Sequence, residues 1–211
     1  MMIDTFDVWT FTDASIKLKD NIGCYGFIHM SKDPHTGTLF EWANGFQTVS
    51  DIRETDTLEA AAIYIALLDI RRNLSKHWKF GIVTDSDNVY YPLQAIIDAK
   101  HDVTCFDIVK QMNRTRRMIL ETGSLFRSLI NVGYSVSIKL CKSHLESHDM
   151  TKWLAKMNDP LASSDYAKNI CIGNSLIDYH TNYIAHHGGL PVQEQWSNRN
   201  GCFGPSPVMY E

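Results

Sequence analysis

The sequence predicts an α/β fold built on a five-stranded mixed sheet, three antiparallel strands and then two parallel ones, with helices on both faces. Three observations predict it. The first third of the chain is written as short strand-like segments joined by turns, a strong helical period follows, and after it single strands alternate with helices. Strands joined by tight turns pair antiparallel. A fourth strand joined to these through a crossover helix runs parallel to its neighbour.

The segments Phe6 to Thr12, Gly23 to Met30 and Thr38 to Gly45 are rich in aromatic and β-branched residues. They are separated by "KLKDN" and by "SKDPHTG", whose Pro and Gly mark a turn. The result is a three-stranded meander. From Glu54 to Leu74 the period switches, and Ala62, Ile63, Ala66, Leu67 and Ile70 fall on one helical stripe, with Thr55 or Thr57 available as N-cap. Lys79 to Asp87, "KFGIVTDSD", returns to strand. "VYYPLQAII" and the stretch from about Asp107 to Ile130 read as helices, and Gly133 to His144 alternates as the fifth strand. A last helix begins near Ser163 and Ser164 and continues through Ile170. From Gly173 the chain turns to "GN", "HHGGLP", "NRNG" and "GPSP", which predicts an irregular extension. The expected organisation is one domain over 1–172 and an irregular C-terminal extension over 173–211.

The 211 residues, 44% apolar and 21% charged, supply one compact core. The longest apolar run, Ala60 to Leu68, is far short of the ~20 residues that a membrane span needs, and "MMIDTFD" has no basic region followed by an apolar one. Neither export nor a membrane partner is expected. Five cysteines, an odd count without a CxxC pair, fit buried thiols in a reducing compartment, so the expected location is cytoplasmic or otherwise intracellular. A net charge of -4 gives no general attraction to nucleic acid. Any such binding has to come from a local patch such as "VKQMNRTRR".

Three carboxylates stand where strand and helix patterns call for apolar residues. Asp13 interrupts the first strand, in "WTFTDASIKL". Glu59 points from the stripe that the first long helix buries, and a lone carboxylate there is costly unless it is paired or ligates a cation. Asp85 ends the apolar strand "FGIVTD", and ligands gather at the carboxyl ends of parallel strands. If the strands of Asp13 and Asp85 are neighbours and the helix crosses their ends, three acids meet. Such a meeting calls for cations, and Mg²⁺ prefers oxygen ligands of this kind.

"TDAS", "LEAAAIYIAL" and "TDSDNV", in that order, resemble the motifs of type 1 ribonucleases H, over residues 6 to about 172. The resemblance implies the ribonuclease H-like fold and an endonuclease that hydrolyses the RNA strand of RNA/DNA hybrids with two Mg²⁺ ions, Mn²⁺ being able to substitute. It implies that Asp13, Glu59 and Asp85 hold the metals, that a fourth acid opening the last helix joins them, and that His144, on the loop after the fifth strand, assists proton transfer or product release. Asp165 is the expected fourth acid, with Asn158 before it and Ala167 and Lys168 after it; Asp159 and Asp149 are the alternatives. Ser15, Thr57 and Ser86, beside the three motif acids, would touch substrate. Where the family commonly places minor-groove amides, this chain has Thr55-Asp56-Thr57 and Asp87. Lys110, Arg114, Arg116 and Arg117 fall where the family often has a basic protrusion that grips the DNA strand. No obligate protein partner is implied. A 3′ to 5′ exonuclease of the same superfamily would want Asp-x-Glu in the first motif, where Ser15 stands. A junction resolvase would use a similar cluster, and an inactive binding module would have lost an acid.

Overall fold

A computed structural model describes residues 6–33, 35, 37, 39–99, 113–157 and 164–189. In chain order it contains β1 (Val8–Lys17), β2 (Ile22–Lys32), β3 (Leu39–Ser50), α1 (Thr55–Asn73), β4 (Lys79–Thr84), α2 (Asp87–Asp98), α3 (Arg114–Asn131), β5 (Ser135–Leu140), α4 (Ser147–Lys156) and α5 (Ser164–His187). The strands form one sheet in the order β3-β2-β1-β4-β5. The first three pair antiparallel, while β4 pairs parallel with both β1 and β5. This is the mixed sheet that the turn and crossover pattern predicts.

Two buried clusters fill the two faces, because side chains of a strand alternate between them. On one face Val8, Phe80, Ile82, Val136 and Ile138 pack against Ile63, Leu67 and Ile70 of α1, Leu93 of α2 and Phe126 and Leu129 of α3. On the other, Trp9, Phe11, Ile28 and Val83 pack against Met150 and Leu154 of α4 and Ile170 and Ile177 of α5. β1 is the hinge of this arrangement. It is central, and its odd-numbered residues from Trp9 onward face α5.

Several local expectations change. β1 does not stop at Asp13 but runs on to Lys17, with Asp13 opposite Gly26; Gly26 leaves room for the ring of Phe46 and the carbonyl of Gly45, which a Cβ would strike. The N-cap of α1 is Glu54, without a capping side-chain bond to the backbone, and neither Thr55 nor Thr57 takes that place. The stretch between His144 and Asp165 contains a helix, α4. The largest difference lies at Gly173: α5 passes through it without a break and ends at His187, so residues 173–187 are helix and not irregular extension. Apolar residues explain why, since Leu176, Ile177, Ile184 and Ala185 are buried and recur at helical spacing. Residues 107–112 of the predicted third helix, and the tail beyond 189, lie outside the described residues. No described helix is long and apolar enough to cross a membrane. Of the described cysteines, all free thiols, Cys24 and Cys141 are buried as expected and Cys171 is half-buried.

Candidate metal centre

The register of the parallel pair brings two of the acids together. Phe11 pairs with Val83 on the last rung between β1 and β4, and two residues further along each chain stand Asp13 and Asp85. α1 contributes Glu59 from its buried side, beside Ala60, Ala62 and Ile63. One carboxylate oxygen from each of Asp13, Glu59 and Asp85 lies within 4.8 Å of the others. Asp13 is 7% exposed and Glu59 6%, so water does little to screen their charges.

Electrostatics follow from that crowding. Burial is the main cause that pushes Asp13 up to about 7; Asp85 and Asp178 add to it, while a hydrogen bond from Thr181 and the backbone N–H of Ala14 oppose it. Glu59 is raised well above the ordinary carboxylate range, first by burial and then by repulsion from Asp13 and Asp85. Asp85 is raised by burial and by Asp178, against the lowering effects of Asn174 and His144. Glu59 Oε2 is buried with no hydrogen-bond partner. A buried carboxylate oxygen without a donor is an expensive arrangement. A divalent cation satisfies it, because carboxylate oxygens are the ligands such ions take. The residues therefore fit a Mg²⁺-type centre.

α5 supplies the rest of the cluster. Asn174 Nδ2 donates to Asp85 Oδ2 at 3.3 Å, and the Thr181 hydroxyl donates to Asp13 Oδ2. Asp178, between them on the same helix face, is close enough to raise the proton affinity of both Asp13 and Asp85. Asn182 Nδ2 donates to Asp178 Oδ1 at 2.7 Å, and Ser15 Oγ donates to Asn182 Oδ1 at 2.7 Å. Asp178 is thus the acid of α5 whose charge acts on the cluster, while Asp13, Glu59 and Asp85 are the three whose oxygens come within 4.8 Å of one another. Asp165 is not that acid: it sits in the first turn of α5, more than three turns from Asp178 and roughly 20 Å away along the axis by helical rise. Of its alternatives, Asp149 is exposed in the first turn of α4, with Lys152 beside it, and Asp159 lies outside the described residues. The reading of "GN" as a helix stop concealed Asp178. Asn174, Asp178 and Thr181, at spacings of four and three, share one polar helix face that the sequence alone does not tell from a solvated one.

His144 lies on the loop after β5. The N–H of Cys141 donates to Thr84 O at 2.9 Å and so continues the β4–β5 contact up to this loop. His144 has φ 58°, a left-handed conformation that a non-glycine side chain rarely adopts, and it stands near enough to Asp85 to lower its proton affinity. Ser86 is the N-cap of α2, immediately after Asp85. Thr57 is buried and its hydroxyl is engaged at 2.7 Å with Thr115 and at 3.0 Å with Glu54, so it joins the starts of α1 and α3.

Arg114, Arg116 and Arg117 occupy the first turn of α3, which Asn113 caps by accepting from the N–H of Arg116 at 2.9 Å. All three are exposed. Arg114 and Arg117 edge a shallow groove of about 280 Å³ with Tyr25, Thr57, Met118 and Glu121. Lys110 lies outside the described residues.

No family model and no curated protein matches the sequence. Solved structures do resemble the fold. The RNase H domain of PFV, solved in solution, is 15% identical, with a TM-score of 0.53 over 87% of this chain and 97% of that one. LC9-RNase H1, described as a type 1 RNase H with the type 2 active-site motif, is 14% identical, with a TM-score of 0.52 over 95% of this chain and 85% of that one. With its sheet order, its helices on both faces and these likenesses, the protein has the ribonuclease H-like fold.

Proposed function

We propose that the protein is a metal-dependent endonuclease that hydrolyses the RNA strand of RNA/DNA hybrids in an intracellular compartment. The observation that carries the reading is the buried cluster of Asp13, Glu59 and Asp85 with an orphaned oxygen on Glu59, at the C-terminal end of the central strand pair. Asp13, Glu59, Asp85 and Asp178 would hold two Mg²⁺ ions, or Mn²⁺ in their place. Ions at such a site supply a nucleophilic water at neutral pH and neutralise charge on the phosphate. In the balanced reaction a water oxygen bonds to phosphorus, the bond from phosphorus to the 3′ oxygen breaks, and that oxygen leaves as a hydroxyl. The products are 5′-phosphate and 3′-hydroxyl ends.

His144, on the loop beside Asp85, would carry a proton in the reaction or assist product release. Arg114, Arg116 and Arg117 would contact backbone phosphates of the substrate, with Lys110 preceding them in the chain. Ser15 and Ser86 flank the acids and would meet the scissile strand. Thr57 has its hydroxyl turned to Glu54 and Thr115, and its part is to position α3 against α1.

The test is incubation of the pure chain with labelled RNA/DNA hybrid, single-stranded RNA, duplex DNA and branched DNA, with Mg²⁺, with Mn²⁺ and with a chelator. Cutting of the hybrid RNA alone, abolished by chelator and leaving 5′-phosphate ends, is the expected result. Cyclic 2′,3′-phosphate products or equal cutting of single-stranded RNA would overturn it. Cleavage confined to branched DNA would make the protein a resolvase, and binding without cleavage an inactive module.

A further inference from the structure

α5 touches the acid cluster through more than a carboxylate. Asn174 and Thr181 stand on either side of Asp178 on one face of the helix, and each donates to a different acid: Asn174 to Asp85 at 3.3 Å and Thr181 to Asp13. Both donors are buried, Thr181 completely. Thr181 Oγ1 also lies 3.1 and 3.2 Å from the carbonyls of Ile177 and Asp178, so its oxygen is held against the helix and its one O–H is shared between those carbonyls and Asp13.

The amide of Asn174 is itself oriented. Cys141 Sγ lies 3.3 Å from Asn174 Oδ1, and Cys141 is buried. A thiol donates weakly and a carbonyl oxygen only accepts, so the pair sets the oxygen of the amide toward sulfur and its NH₂ toward Asp85. A chain of three groups, thiol to amide to carboxylate, thereby runs from the end of β5 to the end of β4.

Free carboxylates that repel one another turn apart. Asp13 and Asp85 repel Glu59, with which Asp13 also shares a hydrogen bond, and both feel the charge of Asp178, yet one oxygen of each of the three clustered acids stays within 4.8 Å of the others. We propose that Asn174 and Thr181 are positioning residues that hold Asp85 and Asp13 in their ligating orientation before a cation arrives, with Cys141 orienting Asn174. The proposal rests on the reading of the cluster as a metal centre. Neither residue touches substrate or metal; each acts through the carboxylate it grips. Groups that fix metal ligands from outside typically contribute about 10–100-fold to metal affinity.

The experiment is calorimetric titration of Mn²⁺ into the full chain without nucleic acid, alongside the Mn²⁺ concentration that gives half-maximal cleavage of a hybrid and the melting temperature in chelator. Asn174→Ala and Thr181→Val are each expected to raise the dissociation constant about tenfold or more, with the half-maximal concentration rising in step. Thr181→Ser keeps the hydroxyl and is expected to return affinity to within about twofold of the parent. Cys141→Ala, which leaves the amide free to flip, is expected to weaken binding severalfold, and Cys141→Ser is not. If Thr181→Val does not fold, Asn174→Ala and Cys141→Ala decide. Dissociation constants within twofold of the parent for Asn174→Ala and Thr181→Val, with lowered melting temperatures, would overturn the proposal and make both residues purely structural. A parent chain that binds no Mn²⁺ would instead overturn the metal-centre reading itself, and this proposal with it.

Discussion

Gly173 of α5 lies against the ring of Phe11 on β1, so closely that a Cβ at this position would fall inside the ring's van der Waals envelope. Phe11 is fully buried, at the middle of the sheet. The glycine is what lets the helix descend onto the central strand. Gly173→Ala is expected to cost about 1–3 kcal/mol through overpacking, which for a domain of this size lowers the melting temperature by roughly 2–4 °C per kcal/mol. Thermal unfolding followed by circular dichroism checks it, and an unchanged midpoint would show that α5 sits elsewhere.

The same contact explains what the sequence did and did not reveal. Gly in a helix interior is unfavourable, and beside Asn174 it reads locally as a stop; only the ring of a residue far away in the chain gives it a reason. The sheet was legible because its cues are local: turn residues between β1, β2 and β3, and the apolar stripe of α1. Asp13, Glu59 and Asp85 were legible because each breaks an apolar pattern. Asp178 breaks none, since a polar residue among Asn174, Asp178 and Thr181 looks like a solvated face until the acids of β1 and β4 are set opposite. The engagement of Thr57 with Thr115 was equally hidden, because it depends on where α3 begins.

Asp178→Asn is expected to remove most hydrolysis of hybrid RNA, by about a hundredfold or more if a ligand is lost, while Asp165→Asn leaves the rate close to that of the parent. Both variants should fold. Single-turnover cleavage at saturating Mg²⁺ distinguishes them, and the reverse ranking would place the start of α5, and not its middle, at the cluster.

Asp13→Asn removes one of the mutually repelling charges. Its hydrolysis should be nearly abolished, yet in chelator it should unfold at the parent's temperature or a few degrees above, as happens where function is held in place against stability. Added Mg²⁺ should then stabilise the parent more than the variant, because only a ligand that binds the folded state shifts unfolding. A variant that keeps activity and melts lower would mean that the carboxylate serves structure.

In chelator the acid cluster's contribution to stability should fall as pH rises between about 4 and 7, opposite in sign to that of His180, which burial lowers to about 4. Asp13 has its folded value pushed up to about 7 from an ordinary 3.8, so in this window the folded protein keeps a proton that the unfolded chain has released. The resulting stabilisation is fully present below the lower value and is lost as pH passes through the upper one. Glu59 and Asp85, also raised, act in the same direction. Asp13→Asn should reduce this fall, measured as melting temperature against pH with chelator present; a pH dependence the same as the parent's would contradict it.

Replacing Arg114, Arg116 and Arg117 together by Ala should weaken hybrid binding and reduce the slope of log K against log salt by roughly 0.7–0.9 for each phosphate contact removed. Filter binding across a salt series reads the slope. An unchanged slope would return these exposed residues of α3 to the role of a solvated helix start.

The bond between Thr181 and Asp13 joins two residues 168 positions apart, and this has a consequence for how the protein is made. During synthesis β1 leaves the ribosome before the other strands, and the meander of β1, β2 and β3 can pair before β4 exists. The acids of β1, α1 and β4 follow in turn, but the face of α5 that carries Asn174, Asp178 and Thr181 is translated well after all three. Until α5 has been made, the cluster lacks that face. The acids of β1, α1 and β4 thus wait for α5, and for the bonds from Asn174 and Thr181, before their surroundings are complete.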